Sequence, residues 1–293
     1  MIRALLLTSR PLSWVNTAFP FAAAYLVSTG RIDAPVVVGT LFFLVPYNLA
    51  MYGINDVFDY ESDLRNPRKG GVEGALLDPR WHRATLISSG LLALPFVAYL
   101  VAVGSPASWV VLALSLFAVV AYSVKGLRFK ERPFLDSITS STHFVSPAVY
   151  GLALAGAAPT TPVIALLAAY FLWGAASHAF GAVQDIGADR AGGIASVATV
   201  IGARATVRFA VVLYLIGGAL LLGGGLLNGS VQLALATALV VPYAVNVLPW
   251  WSVDDENAAS ANRGWRRFLW LNFVTGFLVT LLLIWAALAG AAA

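Results

Sequence analysis

This chain is built around apolar runs too long for a soluble domain. Nine can be read, at 12–29, 35–57, 83–103, 107–124, 134–154, 161–183, 204–226, 230–248 and 268–290. About 18 or more apolar residues is what a helix needs to cross a bilayer. Inside hydrocarbon the backbone must satisfy its own hydrogen bonds, which leaves helices or a closed barrel. Barrel strands would be short and alternating, and these runs are neither. The expected fold class is therefore an all-α polytopic membrane protein, one domain over residues 1–293. Only 11% of residues are charged, against about 25% in a soluble domain. Pro20, Pro46, Pro95, Pro147 and Pro242 fall inside runs, where membrane helices tolerate them. No cysteine is present, which excludes disulfides, thiolate metal sites and a Cys nucleophile. The N-terminus lacks a small-residue cleavage site, so Trp14 to Val27 reads as a retained first span.

Basic residues set the expected orientation. Arg3 and Arg10 precede the first run. Arg65, Arg68, Lys69, Arg80 and Arg83 follow the second, and Lys125, Arg128, Lys130 and Arg132 follow the fourth. Arg190, Arg204 and Arg208 surround the junction of the sixth and seventh, and Arg263, Arg266 and Arg267 precede the ninth. Of the 18 Lys and Arg, only Arg31 falls on the opposite side. The positive-inside rule makes the crowded face cytoplasmic, with the N-terminus inside and the C-terminus outside. Thirteen of the 14 acids share that face, all but Asp33. The net charge of +4 follows from topology and gives no argument for nucleic acid.

The chemistry concentrates at two run ends. The second run closes on Asn55-Asp56-Val57-Phe58-Asp59-Tyr60-Glu61-Ser62-Asp63. Carboxylates at a membrane mouth are expensive, and such a cluster reads as functional. If the helix continues, Asp56, Asp59 and Asp63 fall at i, i+3 and i+7 on one face, with Asn55 and Asp59 on the neighbouring stripe. Asp185 and Asp189 repeat the i, i+4 spacing at the end of the sixth run. Carboxylates this close repel and call for cations. Oxygen-only ligands suit a hard ion, and Mg²⁺ completes its shell with water and phosphate oxygens. Two such clusters are expected to hold Mg²⁺ on one diphosphate. The competing reading is an acidic helix end neutralised by nearby Arg.

Cations stand where a diphosphate would want them: Arg65, Arg68 and Lys69 after the first cluster, Lys125, Arg128 and Lys130 after the fourth run, and Arg190 after the second cluster. Arg grips phosphate bidentately and Lys acts as a point charge. Topology alone also accounts for any one of them. Gly70-Gly71 and Gly192-Gly193 follow the two clusters and suit loops that approach phosphate. Asp136, His143 and His178 are the polar residues within runs. Asp136 is a candidate to orient Lys125, to accept a proton, or to pair with Arg132. The two His read as hydrogen-bonded core residues.

The halves share a pattern of acids, Arg and paired Gly, which suggests a duplicated four-helix unit with a ninth helix added. Over its whole length the chain resembles the UbiA superfamily of intramembrane prenyltransferases. Asn55-Asp56-x-x-Asp59-x-x-x-Asp63 is similar to that family's first aspartate-rich motif and Asp185-x-x-x-Asp189 to its second. The resemblance implies nine helices around a central, lipid-accessible cavity capped by cytoplasmic loops, and Mg²⁺-dependent transfer of a prenyl group from its diphosphate. It places a diphosphate-binding Arg at Arg68, and a Tyr and a Lys at Tyr122 and Lys125. The spacing Tyr-x-x-Lys is one residue shorter than the family's, so Lys125, Arg128 and Lys130 all stay open for that role.

Ser9-Arg10-Pro11-Leu12-Ser13-Trp14-Val15-Asn16-Thr17-Ala18-Phe19-Pro20 narrows the resemblance to lycopene elongases. So do Tyr52 to Asp63 and Gly126-Leu127-Arg128-Phe129-Lys130-Glu131-Arg132-Pro133. That implies dimethylallyl diphosphate as donor and lycopene as acceptor, within the lipid of the cytoplasmic membrane and with the active site on its cytoplasmic side. No basic residue lies deep in a run to meet an acceptor carboxylate, which favours a hydrocarbon over an aromatic quinone precursor; a chlorophyll- or glycerol-type alcohol is the other enzymatic alternative. Outside enzymes, many spans with internal prolines also suit a transporter, but the charges gather at one rim rather than across the membrane.

Overall fold

The computed structural model describes residues 2–64 and 76–291. Among these residues the chain is helical, with no strand. Among the described residues, seven helical stretches are long and apolar enough to cross a membrane: Ala34–Phe58, Pro79–Ala102, Pro106–Ser123, Thr161–Val183, Ala203–Leu227, Val231–Trp250 and Ala258–Ala289. These match seven of the nine runs. The other two are also helical, but one has only 15 residues. The other carries a polar series, Asp136, Ser137, Thr139, Ser141 and His143, that is buried.

The chain forms two compact units, Met1–Lys130 with Thr142–Ala158, and Glu131–Ser141 with Pro159–Ala293. The first unit contains α1 (Ile2–Thr8), α2 (Val15–Thr29), α3 (Ala34–Leu44), α4 (Pro46–Phe58), α5 (Tyr60–Asp63), α6 (His82–Ala102), α7 (Pro106–Ser123) and most of α8 (Leu135–Leu154). Its core is aromatic: Phe21 lies 5.2 Å from Phe43, and Phe43 lies 5.1 Å from Tyr47, centroid to centroid. Lipid is as apolar as these side chains, so close packing and hydrogen bonding hold such helices together. A Cβ on Gly53 of α4 would meet Thr85 Cγ2 of α6 at 2.9 Å, so the glycine sets that approach.

The apolar run 35–57 is two helices, because Pro46 has no N–H to give the preceding turn. Side chains satisfy the carbonyls near the break. Asn48 Nδ2 donates to Phe43 O at 2.8 Å and to Leu44 O at 3.1 Å. Thr17 Oγ1 donates to Phe43 O at 2.7 Å. α4, which starts at the break, is the helix that carries Asn55 and Asp56.

The second unit contains α9 (Thr161–Val183), α10 (Ile186–Gly192), α11 (Val197–Ile201), α12 (Ala203–Leu227), α13 (Val231–Ala236), α14 (Val241–Val247) and α15 (Asn262–Ala291). Its core joins Phe180, Tyr214, Tyr243, Trp250 and Phe268. Ser177 and Tyr214 hydroxyls bond across α9 and α12 at 2.9 Å. The run 230–248 is broken by a 3₁₀ turn, Thr237–Val240, ahead of Pro242.

Candidate active site

The first acid set belongs to the first unit. Helical bonding persists through the end of α4: Asp59 N–H reaches Asn55 O at 2.9 Å and Asp63 N–H reaches Asp59 O at 2.8 Å. The expected spacing of Asp56, Asp59 and Asp63 is thereby kept. All three are buried, at 1%, 5% and 7% exposure. Burying a carboxylate is costly without partners, and Asp56 and Asp59 have cations beside them. Asp56 Oδ1 lies 2.9 Å from Arg10 Nη2. Asp59 accepts from Asn55 Nδ2 at 2.7 Å, pairs with Lys130 Nζ and has Arg128 Nη2 at 3.7 Å. Asn55 also donates to Ser123 Oγ at 3.1 Å, tying the set to the end of α7. Arg128 N–H bonds follow from a tight turn after α7, with Gly126 and Arg128 both at positive φ.

Arg10 was not among the expected site residues, since the positive-inside pattern explains an Arg before a first span. Its guanidinium packs 4.2 Å from the Tyr52 ring centre. Burial opposes its charge, but Asp56 first, then Tyr52 and Asp63, outweigh that and hold its pKa above the ordinary value. Its sequence signal is its place in the Ser9-to-Pro20 stretch that carries the family resemblance, directly before Pro11.

Of the three cations left open by the Tyr-x-x-Lys spacing, Lys130 and Arg128 lie against Asp59, while Lys125 is exposed. Tyr122 meets His143 edge to face at 5.2 Å. Arg65, Arg68, Lys69, Gly70 and Gly71 lie outside the described residues.

In the second unit, Asp189 N–H bonds Asp185 O at 2.8 Å, one helical turn apart. Both acids are half-buried. Gly193 (φ 69) ends α10, its N–H capping Arg190 O and Asp189 O. Arg190, expected to meet a diphosphate, spans instead from Asp255 Oδ2 at 2.7 Å to Thr199 O at 3.0 Å. Asp136 is fully buried and accepts from Val197 N–H at 2.8 Å and Ser137 N–H at 2.7 Å, so it caps α11. His178 Nδ1 lies 3.1 Å from Ser137 Oγ.

Among the described residues, no three acidic or His side chains converge closely enough to enclose a metal ion. Carboxylates repel at this spacing, and Asp56 and Asp59 lie against cations and, for Asp59, an amide. The donor chemistry nevertheless fits a hard divalent cation: Asn55, Asp56, Asp59 and Asp63, like Asp185 and Asp189, offer only oxygen.

Residues 17–273 match the family model described as the UbiA prenyltransferase family. The chain is 54% identical over 288 residues to a C(50) beta-cyclic carotenoids biosynthesis protein, LbtBC, of Dietzia sp., covering 98% of this chain and 66% of that protein. It is 50% identical over 283 residues to the lycopene elongase/hydratase of Corynebacterium glutamicum, covering 97% of each. Its fold matches a solved UbiA homolog of Archaeoglobus fulgidus bound to GPP and Mg²⁺. The TM-score is 0.69 at 19% identity, over 94% of this chain and 99% of that one.

Proposed function

This chain belongs to the UbiA prenyltransferase family, and from that premise we propose that it transfers dimethylallyl groups from dimethylallyl diphosphate to the two ends of lycopene. It is an integral membrane enzyme, with apolar helices throughout. Two bacterial relatives at 54% and 50% identity, named for C50 carotenoid synthesis and lycopene elongation, support the acceptor. The buried acid set of α4 and α5 supports the diphosphate chemistry. We further infer nine membrane helices around a central cavity, in one catalytic domain of the cytoplasmic membrane, with the active site facing the cytoplasm.

Asn55, Asp56, Asp59, Asp63, Asp185 and Asp189 would hold Mg²⁺, which when bound supplies positive charge for a departing diphosphate. Lys130 and Arg128 stand ready beside Asp59 to take up phosphate charge, with Lys125, Arg65, Arg68 and Lys69 as further contributors. The C–O bond to the diphosphate breaks, its electron pair leaving with the oxygen. The terminal alkene of the acceptor bonds to the allylic carbon, and the resulting tertiary cation loses a proton or captures water. Apolar walls keep bulk water from the allylic cation.

The test is expression in lycopene-accumulating cells with pigment analysis. Products one and then two C5 units longer are expected. Efficient prenylation of 4-hydroxybenzoate, with lycopene untouched, would overturn the acceptor while leaving the family intact. Transport of substrate without Mg²⁺-dependent diphosphate release would overturn the enzyme reading altogether.

A further inference from the structure

We propose that Arg10 is a positioning residue, carried by a strained turn ahead of α2, that fixes the plane of the Asp56 carboxylate for the metal–diphosphate chemistry. The proposal rests on the reading of Asp56 as a metal-holding carboxylate. Three observations carry it, all within the first unit.

The first is the pair itself. Asp56 is buried to 1% exposure and Arg10 Nη2 sits 2.9 Å from its Oδ1. A buried ion pair is a weak source of stability compared with apolar packing of the same volume. The Arg does define geometry: with Oδ1 held, rotation of the carboxylate is restricted and the direction of Oδ2 is set.

The second is the clamp on the guanidinium. It lies 4.2 Å from the Tyr52 ring centre, one helical turn before Asp56 on α4. The same helix thus presents both the acid and the surface on which its partner rests. Cation–π contact of this kind strengthens when desolvated.

The third is the backbone. Arg10 has φ 50, and Arg128, the guanidinium beside Asp59, has φ 41. Both precede 3₁₀ turns, Pro11–Ser13 and Phe129–Glu131. Left-handed conformations are disfavoured for residues with a Cβ, and such strain gathers at functional sites. The Arg10 turn is pinned: Arg10 N–H bonds Leu7 O at 3.1 Å and Ser13 N–H bonds Arg10 O at 2.8 Å. Trp14 Nε1 donates to Ser9 O at 3.0 Å. The two holds differ in tightness. Arg10 has a short ion pair and an aromatic seat, whereas Arg128 stands 3.7 Å from Asp59. Of the two arginines, Arg10 is accordingly the one held tightly against its carboxylate.

The full-length, detergent-solubilised protein tests this with dimethylallyl S-thiolodiphosphate, a poorly ionising donor analogue, bound at increasing Mg²⁺. Arg10→Ala should raise the half-saturating Mg²⁺ concentration by about 10–100-fold, the usual cost of removing a group that orients a metal ligand. Arg10→Lys should recover part of that loss, and Tyr52→Leu should shift it in the same direction by less. A lowered melting temperature with unchanged half-saturating Mg²⁺ in Arg10→Ala would make Arg10 merely structural and overturn the proposal. If Arg10→Ala does not fold, an unchanged Mg²⁺ requirement in Tyr52→Leu overturns it. Wild-type binding that ignores Mg²⁺ would instead refute the metal reading of Asp56.

Discussion

Asp59 gathers an amide, an ammonium and a guanidinium around one carboxylate. Replacing it therefore removes a proposed oxygen ligand and the carboxylate that two cations share. Asp59→Ala or Asp185→Ala should each cost turnover more than the roughly 10–100-fold expected for an outer partner. Near-normal kcat in either folded variant would remove that acid from the site. The three candidate cations separate by position. Lys130→Ala should weaken donor binding at least tenfold, since a charge-assisted contact is worth about 1.5–3 kcal/mol. Lys125→Ala, at an exposed position, should change the donor KM little; the reverse ranking would restore Lys125 to the role. The acids were legible because carboxylates closing an apolar run have no topological excuse. The pairing of Arg10 with Asp56 was not legible, because an Arg before a first span has one. Arg190, adjacent in sequence to Asp189, bonds to Asp255 and Thr199, partners that sequence adjacency does not show.

At the scale of helices, hydropathy located the long elements well and their interruptions poorly. The pattern of 35–57 is continuous, and only the structure shows Asn48 and Thr17 repairing the break at Pro46. Asn48 is fully buried. Asn48→Leu should destabilise the protein by about 1–3 kcal/mol, the penalty for orphaned buried polar groups. A melting temperature equal to wild type would show that the break needs no such repair. The short α10 and α11 left no mark in hydropathy, because seven and five residues are too few to make an apolar run. Asp255 does similar work for α12, accepting from Ala203 N–H at 2.7 Å. That bond first, with Arg190 helping and burial opposing, holds its pKa below the ordinary 3.8. A depressed folded pKa contributes stability above the unfolded value that is lost as pH falls through the folded one. The melting-temperature gap between wild type and Asp255→Asn should thus be full above about pH 4 and shrink below it. A gap independent of pH across that range would deny Asp255 its ionic contribution.

For the whole molecule, the asymmetry of charge predicts the disposition across the bilayer. Reporter fusions offer the check. An exported phosphatase joined after Gly104 should be active, and one joined after Gly126 should be silent. The inverse pattern would turn the molecule over and carry the acid sets to the outer face. The layout of the first unit also bears on how the chain is made. Arg10, Asn55, Arg128 and Lys130, the partners described for Asp56 and Asp59, all precede residue 131. A nascent chain therefore holds both ends of these pairs before the ribosome reaches its second half. Asp56 and Asp59 need not wait at the translocon for a counter-ion still to be translated.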